Sequence, residues 1–352
     1  MSDKRNKVNV KNLILSTLAT LSLVRIVGKR LNNRVCETGI NESMYIDVNG
    51  TKQWIHIYGE DKENPVLLYL HGGPGASTSH IDYAFTRKWA DVYTVVTWDQ
   101  RNCGKSYDDK QKDIPLTKEL LLQDGKEVTE FILKYLAKDK ITILGHSWGS
   151  IYGANLVLAY PEYYECFIGL GQLVDSLENE KAFKEEALLW AKGDEDALAL
   201  ANTLTPDCMT KEHITARNAI MKKYGYDMMA NGSDYNLFMT VLCNPNYSIT
   251  DWIQYVKRDM GAYLDFFTSE EFLSFSLIGR YDYQVPFYNV NGDKDYQTNY
   301  KLAQTYFEKV HAPYKQLFIM ENMTHGLLES DSEGFSKILH RIVEIEKNRK
   351  NI

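Results

Sequence analysis

Ser147 lies at the centre of a Gly-x-Ser-x-Gly pattern, in the local sequence Gly-His-Ser-Trp-Gly. An apolar, β-rich run at 140–144 precedes the pattern, and residues 151–160 are predicted to form a buried helix that ends before Pro161. A strand, this pattern and a helix are the context of a nucleophile elbow, a turn so tight that only glycine fits beside the strand and the helix. The pattern therefore predicts that Ser147 stands at the end of a strand as a nucleophile for acyl transfer.

A serine nucleophile of this kind needs a histidine base, and in chains with this elbow the base comes after the acid, late in the sequence. His325 follows the predicted strand 314–320, where a catalytic loop is expected. His311 lies before that strand and His340 lies on the predicted last helix, so both are predicted to be surface residues. His146 lies inside the elbow and is too constrained to be the base. His325 is therefore the predicted base.

Two aspartates compete as the acid that orients His325. Asp282 precedes the apolar strand predicted at 285–290, whereas Asp295 follows that strand. Functional residues of parallel sheets lie at the carboxyl ends of the strands, which is the position of Asp295 and not of Asp282. One helix and one strand fit between Asp295 and His325, while Asp282 would require an additional element. The sequence favours Asp295, and the adjacent Asp293 is interpreted as a surface carboxylate.

The segment His71-Gly-Gly-Pro-Gly75 directly follows the apolar strand predicted at 65–70. A turn of this composition can aim a backbone N–H group at the end of the sheet, and an oxyanion needs two such donors. The amides of Gly73 and of Trp148, the residue after the nucleophile, are predicted to be that pair. The alternative is a plain Gly-Pro turn without a functional role.

A third segment, Asp99-Gln-Arg-Asn-Cys-Gly-Lys-Ser106, follows the strand predicted at 93–98. The motifs His-Gly-Gly-Pro-Gly, Asp-Gln-Arg-x-x-Gly-x-Ser and Gly-x-Ser-Trp-Gly-Ser, in this order and spacing, strongly resemble those of the proline iminopeptidase family of α/β-hydrolases. The resemblance covers roughly residues 40–175 and then the region near 280–330. It does not cover the region between them.

One residue of the third segment departs from the family pattern, because Asn102 stands where the family usually has glycine. Asparagine tolerates a left-handed backbone better than most residues, so the loop is expected to keep its shape. Asp99 and Arg101 are interpreted as structural residues at the floor of the site. Cys103 is interpreted as a small buried residue rather than a nucleophile.

The resemblance implies a serine hydrolase that works through an acyl-enzyme, needs no metal or organic cofactor, and releases an N-terminal residue, often proline, from short peptides. Such an enzyme needs carboxylates to hold the free α-ammonium group. The candidates are four glutamates whose alternative interpretation is a solvated helix face, namely Glu178, Glu180, Glu185 and Glu186. Two other classes remain open, a carboxylesterase or amidase acting on small acyl substrates and a non-catalytic binding protein on a hydrolase scaffold. The intact Ser-Asp-His set argues against the binding protein.

An alternation of predicted strands and helices positions these residues. The alternation begins with a predicted hairpin of strands 44–48 and 52–58 joined at Asn49-Gly50. Strands and helices then alternate as far as residue 175. This alternation predicts an α/β fold in which a mostly parallel sheet carries helices on both faces. Between 176 and 275 the pattern is helical, which predicts an inserted helical cap.

Four regions follow from this pattern. The chain closes with an amphipathic helix whose apolar face carries Phe335, Ile338, Leu339, Ile342 and Val343. The predicted division is 1–35 as an N-terminal basic and apolar segment, 40–175 as the first part of an α/β-hydrolase core, 176–275 as the cap, and 276–352 as the second part of the core.

The N-terminal segment has its own composition. Basic residues at 4, 5, 7 and 11 precede an apolar run at 13–24, which is shorter than the ~20 residues that span a bilayer and is closed by Arg25. Three interpretations stay open: a membrane anchor or interfacial helix formed by residues 12–31, a cleaved signal peptide, and a soluble helix that covers the domain. The chain is accordingly expected to be membrane-associated through its N-terminus or cytoplasmic.

The overall composition limits the classes of partner. The chain of 352 residues carries 40 Lys and Arg against 47 Asp and Glu, a formal net charge of −7. A mildly acidic chain has no electrostatic reason to hold nucleic acid, so the expected partner is a small peptide or acyl substrate. Its 5 cysteines are scattered without a Cys-x-x-Cys pair, which predicts free thiols in a reducing compartment and neither a disulfide framework nor a metal site. The sequence leaves the oligomeric state open.

Overall fold

The computed structural model describes residues 10–207 and 209–350. One sheet of 8 strands organises this part of the chain, in the order β1-β2-β4-β3-β5-β6-β7-β8. The strands are β1 Ile40–Val48, β2 Thr51–Gly59, β3 Val66–Leu70, β4 Thr94–Asp99, β5 Ile141–His146, β6 Tyr164–Leu170, β7 Phe287–Gly292 and β8 Lys315–Met320.

The sheet is mixed at one edge and parallel elsewhere. The pairs β1–β2 and β2–β4 are antiparallel, while every pair from β4–β3 to β7–β8 is parallel. Asn49 and Gly50 join the antiparallel hairpin with φ values of 42° and 79°, the left-handed geometry that a tight hairpin turn requires. The prediction of a mostly parallel sheet is confirmed.

Helices fill the connections between the strands. They are α1 Val10–Asn32, α2 Tyr83–Thr86, α3 Lys118–Tyr135, α4 Trp148–Ala159, α5 Ser176–Trp190, α6 Glu195–Asn202, α7 Lys211–Tyr224, α8 Leu237–Leu242, α9 Ile249–Lys257, α10 Gly261–Phe267, α11 Glu270–Leu273, α12 Tyr300–Lys309, α13 Leu327–Ser330 and α14 Ser332–Lys350. Short 3-10 helices lie at Arg87–Trp89, Gly104–Ser106, Asp109–Gln111 and Pro161–Tyr163.

Both faces of the sheet are covered, as the strand β3 demonstrates. Leu68 and Leu70 belong to an apolar cluster shared with α3 and α4, while Leu67 and Tyr69 belong to a second cluster shared with α14. Since side chains alternate along a strand, the two clusters lie on opposite faces. A central parallel strand is therefore apolar at every position, as the sequence predicted for 65–70.

The end points of two predicted elements differ from the sequence-based expectation. The strand predicted at 285–290 begins at Phe287, because Pro286 has no N–H group to give to a ladder. The elbow helix begins at Trp148 rather than at 151. Thr117 caps the start of α3, since its hydroxyl accepts a hydrogen bond from the Leu120 amide at 3.1 Å.

The region predicted as a cap contains seven helices, α5 to α11, and its described residues form no strand. Part of it surrounds an apolar cluster of its own, in which Phe183 and Ala187 of α5 meet Ile220 and Met221 of α7. We call α5 to α11 the cap. The predicted boundaries of the four regions stay a prediction, and residues 1–9 of the N-terminal segment lie outside the described residues.

Candidate active site

Ser147 occupies a strained turn between β5 and α4. Its φ of 57° and ψ of −121° lie in a region that side chains rarely adopt. A Cβ atom at position 145 would overlap the Gly149 carbonyl, and one at position 149 would overlap the carbonyl of Leu70 on β3. Because both positions are glycine, the backbone of the elbow can pack closely against β5 and the neighbouring strand β3.

Two backbone segments meet at Ser147. Trp148 opens α4, so its N–H group is among those without a partner inside the helix. Gly73, with a φ of 123°, lies in the turn after β3 and lines the same small cavity as Ser147 and Trp148. The two residues predicted to supply oxyanion donors are therefore brought together beside the nucleophile.

His325 and Asp295 form a buried pair. His325 Nδ1 and Asp295 Oδ2 are 2.7 Å apart, and both side chains are almost fully buried. The carboxylate also accepts hydrogen bonds from the amides of Gln297 and Thr298 and from the Thr298 hydroxyl, at 2.9 to 3.0 Å. Four donors compensate for the burial of this charge and fix its orientation. The contact places the Nδ1 proton between His325 and Asp295 and leaves Nε2 as the basic nitrogen.

Asp282, the competing acid, lies elsewhere. Its side chain is 90% exposed and pairs with His311, which is 80% exposed, at 2.9 Å. His340 contacts Asp91 in a second exposed pair at 2.7 Å. The structure thus brings Asp295, and not Asp282, to His325.

His146 supports His325 in a way that the sequence did not predict. The two rings stack with centroids 4.8 Å apart, and His146 Nε2 lies 3.2 Å from the His325 carbonyl oxygen. Burial, together with His325, lowers the pKa of His146 to about 3, so its ring is neutral at physiological pH. A neutral ring can stack on the base without repelling the proton that the base must take up. The only sequence signal was an aromatic residue between Gly145 and Ser147.

The loop after β4 is hydrogen-bonded to the residue that follows the nucleophile. Gln100 accepts a hydrogen bond from the Trp148 indole at 3.0 Å and also contacts the side chain and carbonyl of His71. Burial lowers the pKa of His71 to about 4, which keeps it neutral. Through Gln100, the segment Asp99–Ser106 links the turn after β3 to the start of α4.

The neighbours of Gln100 have structural roles. Arg101 forms a bidentate pair with Asp124 of α3, both side chains being buried, at 2.6 and 2.7 Å. Asn102 adopts the left-handed backbone expected of it, with a φ of 57°. Burial raises the pKa of the Cys103 thiol well above its usual value, so it is not a thiolate nucleophile.

A small cavity of about 40 Å³ is lined by Ser147, Gly73 and Trp148. The residues that line it from the cap and the core are apolar Leu173, Met209, Phe267 and Phe272, and polar Ser176, Asn179, Glu180, Gln297 and Thr298. A larger groove of about 630 Å³ is lined mainly by charged residues of α14 and does not include Ser147. The small cavity is therefore the candidate substrate site, and we call it the active-site cavity.

Only one of the four candidate glutamates, Glu180, lies in the active-site cavity. Its Oε2 accepts hydrogen bonds from His213 and Arg217, each at 2.9 Å. Burial alone would raise the pKa of Glu180, but Arg217 and His213 outweigh it and hold the pKa below its usual value. Glu178 pairs with Lys181 on the surface, Glu186 pairs with Lys301, and Glu185 is exposed.

Arg217 also ties the cap to the acid loop, a contact that the sequence did not predict. Its guanidinium donates to the carbonyls of Tyr296 and Gln297 at 3.1 and 2.9 Å and to the Gln297 side chain at 2.8 Å. These two residues directly follow Asp295. The cap is thereby attached to the loop that orients His325.

Comparison with known proteins finds chains of similar sequence. A family model described as alpha/beta hydrolase fold matches residues 65–210. The chain is 26% identical over 312 residues to "Probable aminopeptidase YbaC" of Bacillus subtilis, covering 84% of this chain and 94% of that protein. It is also 26% identical over 183 residues to the "Proline iminopeptidase" of Lactobacillus helveticus, covering 51% of this chain and 60% of that protein.

Solved structures share the fold. A proline iminopeptidase of Mycobacterium smegmatis superposes with a TM-score of 0.59 at 18% identity, covering 88% of this chain and 100% of that one. A structure titled as a membrane phospholipase A superposes with a TM-score of 0.63 at 14% identity, covering 97% of this chain and 96% of that one. Identities this low indicate the fold and no more.

Proposed function

We propose, from the α/β-hydrolase fold of this chain and its similarity to proteins named as aminopeptidases and proline iminopeptidases, that it is a serine aminopeptidase acting through an acyl-enzyme. The observation that carries the proposal is the strained Ser147 turn at the end of β5 beside the buried His325–Asp295 pair. Nucleophile, base and orienting acid follow three different strands of one sheet, β5, β8 and β7, so their side chains meet at the same edge.

In the proposed mechanism Ser147 Oγ attacks the scissile carbonyl while His325 Nε2 takes its proton. Asp295 holds the Nδ1 proton and stabilises the imidazolium that forms. The amides of Gly73 and Trp148 donate to the oxyanion, and His325 then returns the proton to the leaving amine. Water hydrolyses the acyl-enzyme in the second half, and no metal or organic cofactor enters any step.

The described residues show no hydrogen bond between the Ser147 hydroxyl and His325. This agrees with the mechanism, because catalytic hydrogen bonds are often long in a free enzyme and tighten when substrate binds. His325 Nε2 has no other hydrogen-bond partner in residues 10–207 and 209–350, so it is available to the serine.

The peptidase proposal rests on the named relatives and on one carboxylate. Both relatives reported above are named as aminopeptidases or iminopeptidases. Such an enzyme must recognise the ammonium group of an N-terminal residue, and Glu180 is the acidic side chain that lines the active-site cavity. We therefore propose Glu180 as the ammonium ligand, and small peptides with a free N-terminal residue, such as proline, as substrates.

A charge test on the substrate checks this proposal. We expect free prolyl-arylamide to be cleaved and its N-acetyl form to lose about 30- to 1,000-fold in kcat/KM, because acetylation removes the cation that Glu180 is proposed to bind. Glu180→Gln should shrink this ratio. Glu185→Gln, on the exposed side of the same helix, is the matched control and should leave the ratio unchanged. Equal cleavage of both arylamides would contradict aminopeptidase action.

One observation favours a second candidate, a carboxylesterase. Glu180 is already paired with Arg217 and hydrogen-bonded by His213, while Leu173, Phe267 and Phe272 give the active-site cavity an apolar wall. An acyl chain fits such a wall without needing a free carboxylate. If only short acyl esters react in the same assay, the esterase replaces the peptidase.

We further propose that α1 attaches the protein to a membrane. Asn12–Asn32 is long and apolar enough to cross a bilayer, and none of its most apolar window is buried against the rest of the protein. Its apolar side chains point in all directions, as in a helix surrounded by lipid. The hydroxyls of Ser16, Thr17, Thr20 and Ser22 all bond to carbonyls three or four residues earlier, so no hydroxyl needs water.

Removal of α1 tests this attachment. We expect the full chain to sediment with membranes and a shortened chain that begins at Asn41 to stay in the supernatant. Activity on a soluble arylamide should be similar for both, because every proposed catalytic residue lies beyond β3. Equal sedimentation of the two forms would contradict the anchor.

A further inference from the structure

The last turns of α1 are bonded to the cap. Arg25 donates to the carbonyls of Leu242 and Tyr247 at 3.1 and 2.7 Å, and Lys29 donates to the Tyr247 carbonyl at 2.7 Å. The contact is close, since a Cβ atom at Gly28 would overlap the Cys243 side chain. Residues 25–32 are thus fixed to the segment that joins α8 to α9.

The two cap helices on either side of that segment expose apolar side chains. On α9 these are Ile249, Ile253 and Val256, which are 70%, 51% and 81% exposed and lie at the spacing of one helix face. On α8 they are Leu237, Phe238 and Met239, which are 52%, 62% and 40% exposed. We call these six residues the cap apolar face.

The inward side of α9 is already packed. Trp252 and Tyr255 lie on the other side of the helix and pack against His80 and Tyr247 in tilted and edge-to-face contacts, with ring centroids 4.6 to 6.3 Å apart. An amphipathic helix normally turns its apolar side to the core and its polar side to water. Here both sides are apolar, so the outer one lacks a partner within the described chain.

The length of α1 indicates that partner. In the described part of the chain, residues 10–24 extend beyond the contact with the cap, and they rise about 22 Å at ~1.5 Å per residue. The hydrocarbon core of a bilayer is ~30 Å thick. A helix segment this short cannot bridge the bilayer while the cap stays in water, so the surface at its end must approach the lipid.

We propose that the cap apolar face lies in the interface of the same bilayer that receives α1. The inference rests on the proposed attachment through α1 and adds a second contact that orients the cap, and with it the active-site cavity, toward the lipid. The exposed Lys257 ends α9 and the exposed Arg30 lies in the last turn of α1, and both charges suit anionic headgroups, while Asp259 follows Lys257 by two residues. An interfacial helix with apolar residues on one side and basic residues at its edge is typical of such contacts.

Fluorescence of the full chain in vesicles tests the proposal. Cys36, which is exposed, and Cys208, which lies outside the described residues, are first replaced by serine, and an NBD probe is attached to Ile253→Cys or, as the matched control, to Leu189→Cys. Leu189 is 53% exposed on α5 and outside the cap apolar face. The vesicles contain phosphatidylcholine and phosphatidylglycerol in equal amounts, with or without nitroxide-labelled acyl chains. We expect the probe at 253 to shift to the blue and be quenched by the nitroxide, and the probe at 189 to do neither.

The outcomes separate the two membrane contacts. If the protein pellets with vesicles but the probe at 253 behaves as in water, the cap contact is wrong and the α1 anchor stands. If the protein does not pellet, the anchor fails and the cap contact fails with it. A blue-shifted emission at 253 before vesicles are added would assign the cap apolar face to a second copy of the chain instead.

Aspartate substitutions at exposed positions test the membrane contact of the cap independently, through vesicle partitioning. Ile253→Asp combined with Val256→Asp should lower the partition of the full chain into these vesicles about tenfold or more, because two exposed apolar side chains no longer enter the interface. Leu189→Asp should leave partitioning within about twofold. Both variants alter exposed positions, so an unchanged melting temperature confirms that they fold. An equal effect of the two variants would overturn the proposal.

Discussion

Replacement of Ser147 by alanine is expected to lower kcat by about 10⁴-fold or more without unfolding the protein. The variant removes the only atom that forms the proposed covalent bond. It leaves the turn intact in shape, because alanine and serine differ by one oxygen. The residual rate would come from the amides of Gly73 and Trp148 and from binding alone. The measurement is kcat on an arylamide or ester substrate, with the melting temperature followed by circular dichroism.

A serine-reactive phosphonate identifies the nucleophile directly. It should label the unmodified chain at Ser147 and leave Ser147→Ala unlabelled. Ser176→Ala is the matched control, since Ser176 lines the same active-site cavity without lying in the strained turn. That variant should keep both the label and most of the activity. Labelling that survives in Ser147→Ala would refute the assignment.

The sequence predicted well those features that depend on local pattern. The alternation of apolar runs and helical periods is set by neighbouring residues, so the sheet, the hairpin at Asn49-Gly50 and the elbow between β5 and α4 could be recognised. The position of Asp295 followed from a topological rule, because residues after parallel strands meet at one edge of the sheet. The hydrogen bond between Asp295 and His325 is the contact that this rule anticipates.

Contacts between distant segments could not be predicted in the same way. Arg25 looks like an interruption of an apolar helix, and only the structure shows that it donates to carbonyls 217 and 222 residues later. The stacking of His146 on His325 joins residues 179 apart. No periodicity or composition signal encodes such a pair, since each depends on how two loops pack in three dimensions.

Which glutamate of the cap is buried could not be predicted from the sequence either. The four candidate glutamates of α5 could not be distinguished by sequence, because all lie in a polar helical pattern. Burial separates them, since α5 turns Glu180 inward to His213 and Arg217 while Glu185 stays in solvent. Which face of a cap helix is buried depends on the helices that pack on it, and those helices lie in the region that no motif covered.

Asp295→Asn should cost about 10⁴-fold in kcat, whereas Asp282→Asn should cost little. The side-chain oxygen of the introduced asparagine can still accept from the amides of Gln297 and Thr298, so the loop is expected to keep its fold. The new amide group would then face His325 Nδ1 and donate to it. This favours the tautomer with the proton on Nε2, which cannot take a proton from Ser147.

Asp282→Asn is the matched control, because it makes the same chemical change at a residue that also contacts a histidine. Its pair with His311 is exposed on both sides, and exposed pairs contribute little to stability. We expect kcat and the melting temperature to stay near those of the unmodified chain. The measurement is kcat for both variants on one substrate, across the pH range in which the base titrates. A large loss of kcat in Asp282→Asn, or an unchanged kcat in Asp295→Asn, would contradict the proposed set of catalytic residues. The acid would then reach His325 from the other end of β7.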